Sequence, residues 1–133
     1  MSNVRETVNK LVEAWNNRDW DFIRASLHPE TKLVMPDGQE IGGVEACLEE
    51  GWKGHAAAFP DGRLDIVSAY DDGDVAITEL VLRGTHGGTL AGIAPTQKKV
   101  EVGWCNIMKF KDGKVVSDRD YVDMQTIFSQ LGV

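Results

Sequence analysis

The stretch Asp112-Gly113-Lys114-Val115-Val116-Ser117-Asp118-Arg119-Asp120-Tyr121-Val122-Asp123-Met124 decides how the rest of the chain is read. Asp-Gly is a hairpin turn signal, and the residues after it have the β-branched content of a strand. Side chains two apart on a strand share a face. Val116, Asp118, Asp120 and Val122 are therefore expected to line one side, apolar at both ends and acidic between them. Two carboxylates on one face compete for ionisation, and an apolar surround raises the pKa of at least one. That is one route to a general base or acid. The same pattern also suits a solvated edge strand.

The preceding segment supplies a setting for the pair. Lys98 to Lys109 is predicted to be a long strand, joined to the first stretch by the turn Lys111-Asp112-Gly113. One of its faces carries Val100, Val102, Trp104, Asn106, Met108 and Phe110, apolar except for Asn106. A buried amide without a partner costs about 1–3 kcal/mol. Asn106 therefore serves either a structural hydrogen bond or a ligand. If the apolar faces coincide, Asn106, Asp118 and Asp120 meet in one apolar concavity, the layout of a small-molecule pocket.

Working back to the start, Asn3 can cap a helix whose Val4, Val8, Leu11, Val12 and Trp15 recur at helical spacing. Asp19 can cap a short second helix, ended by His28-Pro29. A strand over Thr31 to Met35 and a short return over Gln39 to Ile41 follow. Val44 to Phe59 is predicted to be a third helix, with His55 at core spacing as a packing residue. Gly51 and Gly54 weaken it by about 1 kcal/mol each relative to alanine. From Arg63 the period changes to two: strands over Arg63 to Tyr70 and Val75 to Thr85 lead to a glycine-rich loop from Gly87 to Thr96. Asp123 can cap a closing helix. Without βαβ alternation, this order implies an α+β fold with a mixed, mainly antiparallel sheet, three to four helices covering one face. Residues 1–133 form a single domain, since the length allows one and not two.

Composition excludes several function classes. The formal net charge is −7 and the pI about 4.9, so no basic patch is expected for nucleic acid or an anionic membrane surface. No apolar run approaches a membrane span of about 18 residues. The N-terminus lacks a signal peptide's apolar core. Cys47 and Cys105 stand alone, which fits a reducing cytoplasm, so a cytoplasmic location is expected. His28, His55 and His86 lack metal-ligand spacing, and no metal or cofactor is expected. Gly84-Thr85-His86-Gly87-Gly88 has no strand-to-helix context and no following Lys-Ser/Thr, which excludes a phosphate loop. His86 ends its strand, where a neutral ring can bond a substrate oxygen or the backbone. Trp15 and Trp104 are core material that can also wall a pocket.

Several segments together carry a family likeness. They are Arg83-Gly84-Thr85-His86-Gly87-Gly88-Thr89-Leu90-Ala91-Gly92-Ile93-Ala94-Pro95-Thr96, Lys111-Asp112-Gly113-Lys114-Val115 and Asp118-Arg119-Asp120-Tyr121-Val122-Asp123-Met124. With Val12-Glu13-Ala14-Trp15-Asn16, Leu27-His28-Pro29-Glu30 and Ser129-Gln130-Leu131-Gly132, the whole chain resembles the SnoaL-like polyketide cyclases. These belong to the NTF2-like superfamily, related to ketosteroid isomerase. The resemblance implies a cone-shaped barrel, its strongly curved sheet enclosing a deep apolar pocket. It also implies cofactor-free aldol ring closure of a small hydrophobic, polyketide-like substrate, and a homodimer.

Asp120 matches the family's catalytic aspartate, the base that takes a proton next to a carbonyl. Asn106, Asp118, Trp104, His86 and Trp15 are the expected substrate-binding residues. Two positions depart from the family pattern: Asp118 and Asn106 stand where those cyclases carry histidines. Two other readings remain. An epoxide hydrolase-like activity needs an Asp-Arg-Asp set and hence an arginine, such as Arg83, in the pocket. A non-catalytic binding protein needs only the pocket.

Overall fold

The computed structural model describes residues 3–133. Helix α1 (Val4–Asn16) begins where the Asn3 side chain accepts from the Arg5 backbone N–H at 3.0 Å. It buries Val4, Val8, Leu11, Val12 and Trp15, the stripe read from spacing. Helix α2 (Trp20–Ser26) is capped by Asp19, which accepts from Phe22 N–H at 3.2 Å. These caps satisfy backbone donors that a helix start leaves unpaired.

The six strands are β1 (Leu27–Val34), β2 (Glu40–Gly42), β3 (Arg63–Asp72), β4 (Val75–Thr85), β5 (Lys99–Lys111) and β6 (Lys114–Val122). They form one curved, open sheet in the order β2-β1-β6-β5-β4-β3. All neighbours run antiparallel except β1 and β6. The helices lie on the concave face, and the core fills the space between. Helix α5 (Met124–Leu131) begins at an Asp123 cap and buries Ile127 and Leu131. The Gln130 side chain then bonds both backbone groups of Glu101 in β5.

Three local features differ from expectation. β1 starts at Leu27, ahead of the Thr31 start read from sequence, and Pro29 falls within it. Its pairing with β6 slips between Leu27 and Lys32. A residue without an N–H is tolerated at such an irregularity. The expected single helix over Val44 to Phe59 comes in three joined pieces: α3 (Val44–Ala46), a π-helical segment (Cys47–Trp52) and α4 (Lys53–Ala58). Gly51 sits in the widened turn, where a Cβ would strike the Leu33 side chain.

The third difference is in β6. Lys109 pairs with Ser117 but Phe110 pairs with Val115, so Val116 is the extra residue of a β-bulge. The inward residues are therefore Val115, Asp118, Asp120 and Val122, with Val115 buried in place of Val116.

Candidate active site

β5 and β6 build the floor of a cavity. Their register sets Asn106 opposite Asp120 and Met108 opposite Asp118. All four are buried, with Asn106 7% exposed and both aspartates 6%. Leu80 and Leu82 extend the floor from β4, and Leu33 from β1. The helices supply the opposite wall: Trp15 from α1, Gly51 and Trp52 from the π-helical segment, His55 from α4. Trp104 and Leu64 complete the lining. Counting its open mouth, the void is about 470 Å³.

The lining is apolar around its carboxylates, and this dictates their protonation. Burial, the Asp120 charge and a hydrogen bond to Asp120 together push Asp118 well above the ordinary carboxylate range. Burial pushes Asp120 up to about 6, opposed by the Trp104 indole N–H and by the Asp118 hydrogen bond. Both carboxyls are therefore pushed toward the protonated form, Asp118 the more strongly. Asp118 Oδ1 and Asn106 Oδ1 have no hydrogen-bond partner. Two buried acceptors left empty cost free energy unless a ligand or water fills them.

Five of the six residues expected from sequence line this cavity: Asp120, Asp118, Asn106, Trp104 and Trp15. Trp15 contributes only its ring face, because its indole N–H donates to the Trp52 carbonyl at 2.9 Å. The structure does not bring His86 to the cavity. Its ring is fully buried beside Phe59, at a centroid distance of 6.1 Å. The Thr96 backbone N–H donates to His86 Nδ1 at 3.2 Å, with Thr96 Oγ1 at 3.0 Å. The residue pins the glycine-rich loop, and the backbone bonds of Gly87 and Gly88 to the Ala58 carbonyl hold the same loop down.

Sequence spacing missed His55, which lines the cavity. Helical periodicity identifies the inward face of a helix, but core and cavity both lie inward. No arginine lies among the lining residues. Arg83 is on the outer face, paired with Asp65 at 2.9 Å and Glu101 at 2.8 Å. Arg119 faces outward from β6 and is exposed. The Asp-Arg-Asp set of an epoxide hydrolase is therefore not assembled here.

A curved sheet, a helical roof and a buried carboxylate pair at the bottom of an apolar cleft define a small α+β protein with an enclosed pocket. The profile of the SnoaL-like polyketide cyclases matches residues 5–131, and the chain belongs to that family of enzymes. It is 29% identical over 136 aligned positions to aklanonic acid methyl ester cyclase AcmA of Streptomyces galilaeus, an alignment covering 99% of this chain and 92% of AcmA. Wild-type IdmH of Streptomyces antibioticus superposes with a TM-score of 0.84 at 28% identity, covering 99% of this chain and all (100%) of that one. An NTF2-like protein of Burkholderia pseudomallei, 20% identical with a TM-score of 0.80 and 100% of both chains covered, shares the fold. Among the described residues no helix is long and apolar enough to cross a membrane.

Proposed function

We propose that this protein closes a ring of a flat, polyketide-like substrate by an intramolecular aldol reaction, with Asp120 as the base. The observation that carries the reading is the buried Asp118–Asp120 pair, both carboxyls with raised pKa, at the bottom of an apolar cavity. Asp120, with a pKa of about 6, is ionised near neutrality yet basic enough to take a proton from an activated carbon. The enolate attacks the second carbonyl, a C–C bond forms, and the new alkoxide takes the proton of Asp118. The pair ends with its one proton on Asp120. Transfer across the hydrogen bond to Asp118 restores the starting state. No oxidant or external acid is needed. The relatives' cyclase names support the same class of reaction.

Asp120→Asn tests it directly. Turnover of a tricyclic methyl-ester polyketide should fall by about 10²–10⁴, while binding of that substrate persists. Retained turnover in this variant ends the assignment. A plain binding protein would also bury a polar floor, but it has no use for a base tuned to about 6.

We also propose that two copies pair through the convex face of the sheet. Tyr70, Ile77 and Ile107 form one row there, with Cys105 and Tyr121 in the next. Tyr70 is 57% and Tyr121 51% exposed in the single chain. A second copy fits because this patch is partly apolar, central to the sheet and opposite the cavity. Light scattering should give twice the chain mass, and Tyr121→Glu with Ile107→Glu should give one. A wild-type monomer at micromolar concentration removes the proposal.

A further inference from the structure

His55 has the features of a ligand contact. It sits on α4, on the helical wall, facing the cavity whose floor carries Asn106, Asp118 and Asp120. Neither of its ring nitrogens bonds another described residue; its backbone carbonyl accepts from Phe59 N–H at 3.0 Å. Its ring stands edge-on to Trp104, with centroids 4.8 Å apart and planes at 81°. Burial holds its pKa down, to about 4. At neutral pH it is a neutral imidazole, with one N–H donor and one bare nitrogen.

The ring is half-buried and lines the cavity, so its unpaired nitrogens are open to whatever fills that space. A packing residue at this position needs no nitrogen atoms. A phenyl ring would make the same edge-on contact with Trp104 and leave nothing unpaired. The cavity therefore has polar groups on two opposed walls and apolar residues between them.

We infer that His55 binds a second oxygen of the substrate from the helical side, while the Asp118–Asp120 floor engages the first. The ligand class follows: a flat ring system bearing two oxygens, one toward each wall. This deepens the cyclase proposal and rests on it for the identity of the oxygens. In an aldol closure they are the enolate oxygen and the acceptor carbonyl. A neutral imidazole N–H stabilises a developing oxyanion without first giving up a proton.

Binding of naphthols separates this inference from the cyclase reading, because it needs no turnover. The probes are 2-naphthol, with one hydroxyl, and the 1,3-, 1,6- and 2,6-dihydroxynaphthalenes, measured by calorimetry on the wild-type protein, His55→Phe and His55→Gln. The wild type should bind at least one diol about tenfold tighter than 2-naphthol, the factor expected of one buried hydrogen bond. His55→Phe should bind both alike, and His55→Gln should recover part of the preference. A second readout needs no variant: the ¹⁵N signals of the His55 ring should shift on diol binding and not on 2-naphthol binding. An undiminished preference in His55→Phe, or no preference in the wild type, overturns the role of His55 and leaves Asp120 untouched. Failure of every probe to bind the wild type likewise overturns the role of His55, while the cyclase reading stands or falls on turnover in Asp120→Asn. Loss of turnover in Asp120→Asn with the diol preference intact supports both.

Discussion

Replacing Asp120 by asparagine should do two opposite things: remove activity and stabilise the fold. The sign follows from burial. The folded pKa of Asp120 is about 6, against an ordinary 3.8. A carboxyl whose folded pKa is raised makes the native state bind more protons than the unfolded state between those values. Stability therefore falls as pH rises from 3.8 to about 6, and the full penalty persists above. About two pH units at 1.36 kcal/mol each gives about 3 kcal/mol. Asparagine is never charged, and its carbonyl still accepts the Asp118 proton, so most of that penalty disappears. For a chain of this size the melting temperature should rise by about 6–12 °C at pH 8. At pH 4, where the folded carboxyl is protonated and the unfolded one is only about half ionised, the penalty is about 0.5 kcal/mol and the gain should shrink to about 2 °C. Thermal unfolding of wild type and variant at both pH values measures it. No gain at pH 8, or the same gain at pH 4, would show that Asp120 does not ionise in an apolar site.

Three further outcomes follow from the geometry. The rate of cyclisation should rise with pH along a limb centred near 6, because only ionised Asp120 accepts the carbon's proton; a limb near 4 would mean a solvated carboxylate. Trp104→Phe keeps a ring in the wall but removes the N–H that favours ionised Asp120, so the limb should move to higher pH; a downward move contradicts the assigned hydrogen bond. Gly88→Ala places a Cβ against the Ala57 carbonyl oxygen, backbone that cannot swing aside. It should cost about 1–3 kcal/mol, read as a lower melting temperature, and an unchanged one would show that the loop can lift.

Much of the architecture was legible because it rests on short-range patterns. Caps at Asn3, Asp19 and Asp123 announce three helices, and all three side chains bond where expected. Alternation along β5 placed Val100, Val102, Asn106, Met108 and Phe110 inside, where they are. The less legible parts depend on contacts between distant segments. The π-helical segment holds Gly51 close against Leu33 on another element, and no local pattern encodes that fit. His86 and His55 show the same limit in opposite directions. Position in a strand suggested that His86 faces a ligand, yet its ring turns to Thr96. Helical spacing marked His55 as core, and whether core or cavity lies beyond an inward face depends on how far the sheet bends away.

The bulge at Val116 adds local bend and twist to β6. Below it the strands pair with one register, Phe110 with Val115 and Lys111 with Lys114; above it they pair with another, Met108 with Asp118 and Asn106 with Asp120. The two registers differ by the single inserted residue. Excising Val116 would therefore leave every partner on both sides in place and every side chain on its present face. The hairpin and the carboxylate pair can then be treated as two modules joined by a removable spacer. The spacer adds coil to the strand rather than new contacts. Chain length at this one point becomes a dial for the depth of the concavity, adjustable without rewriting the residues at its floor.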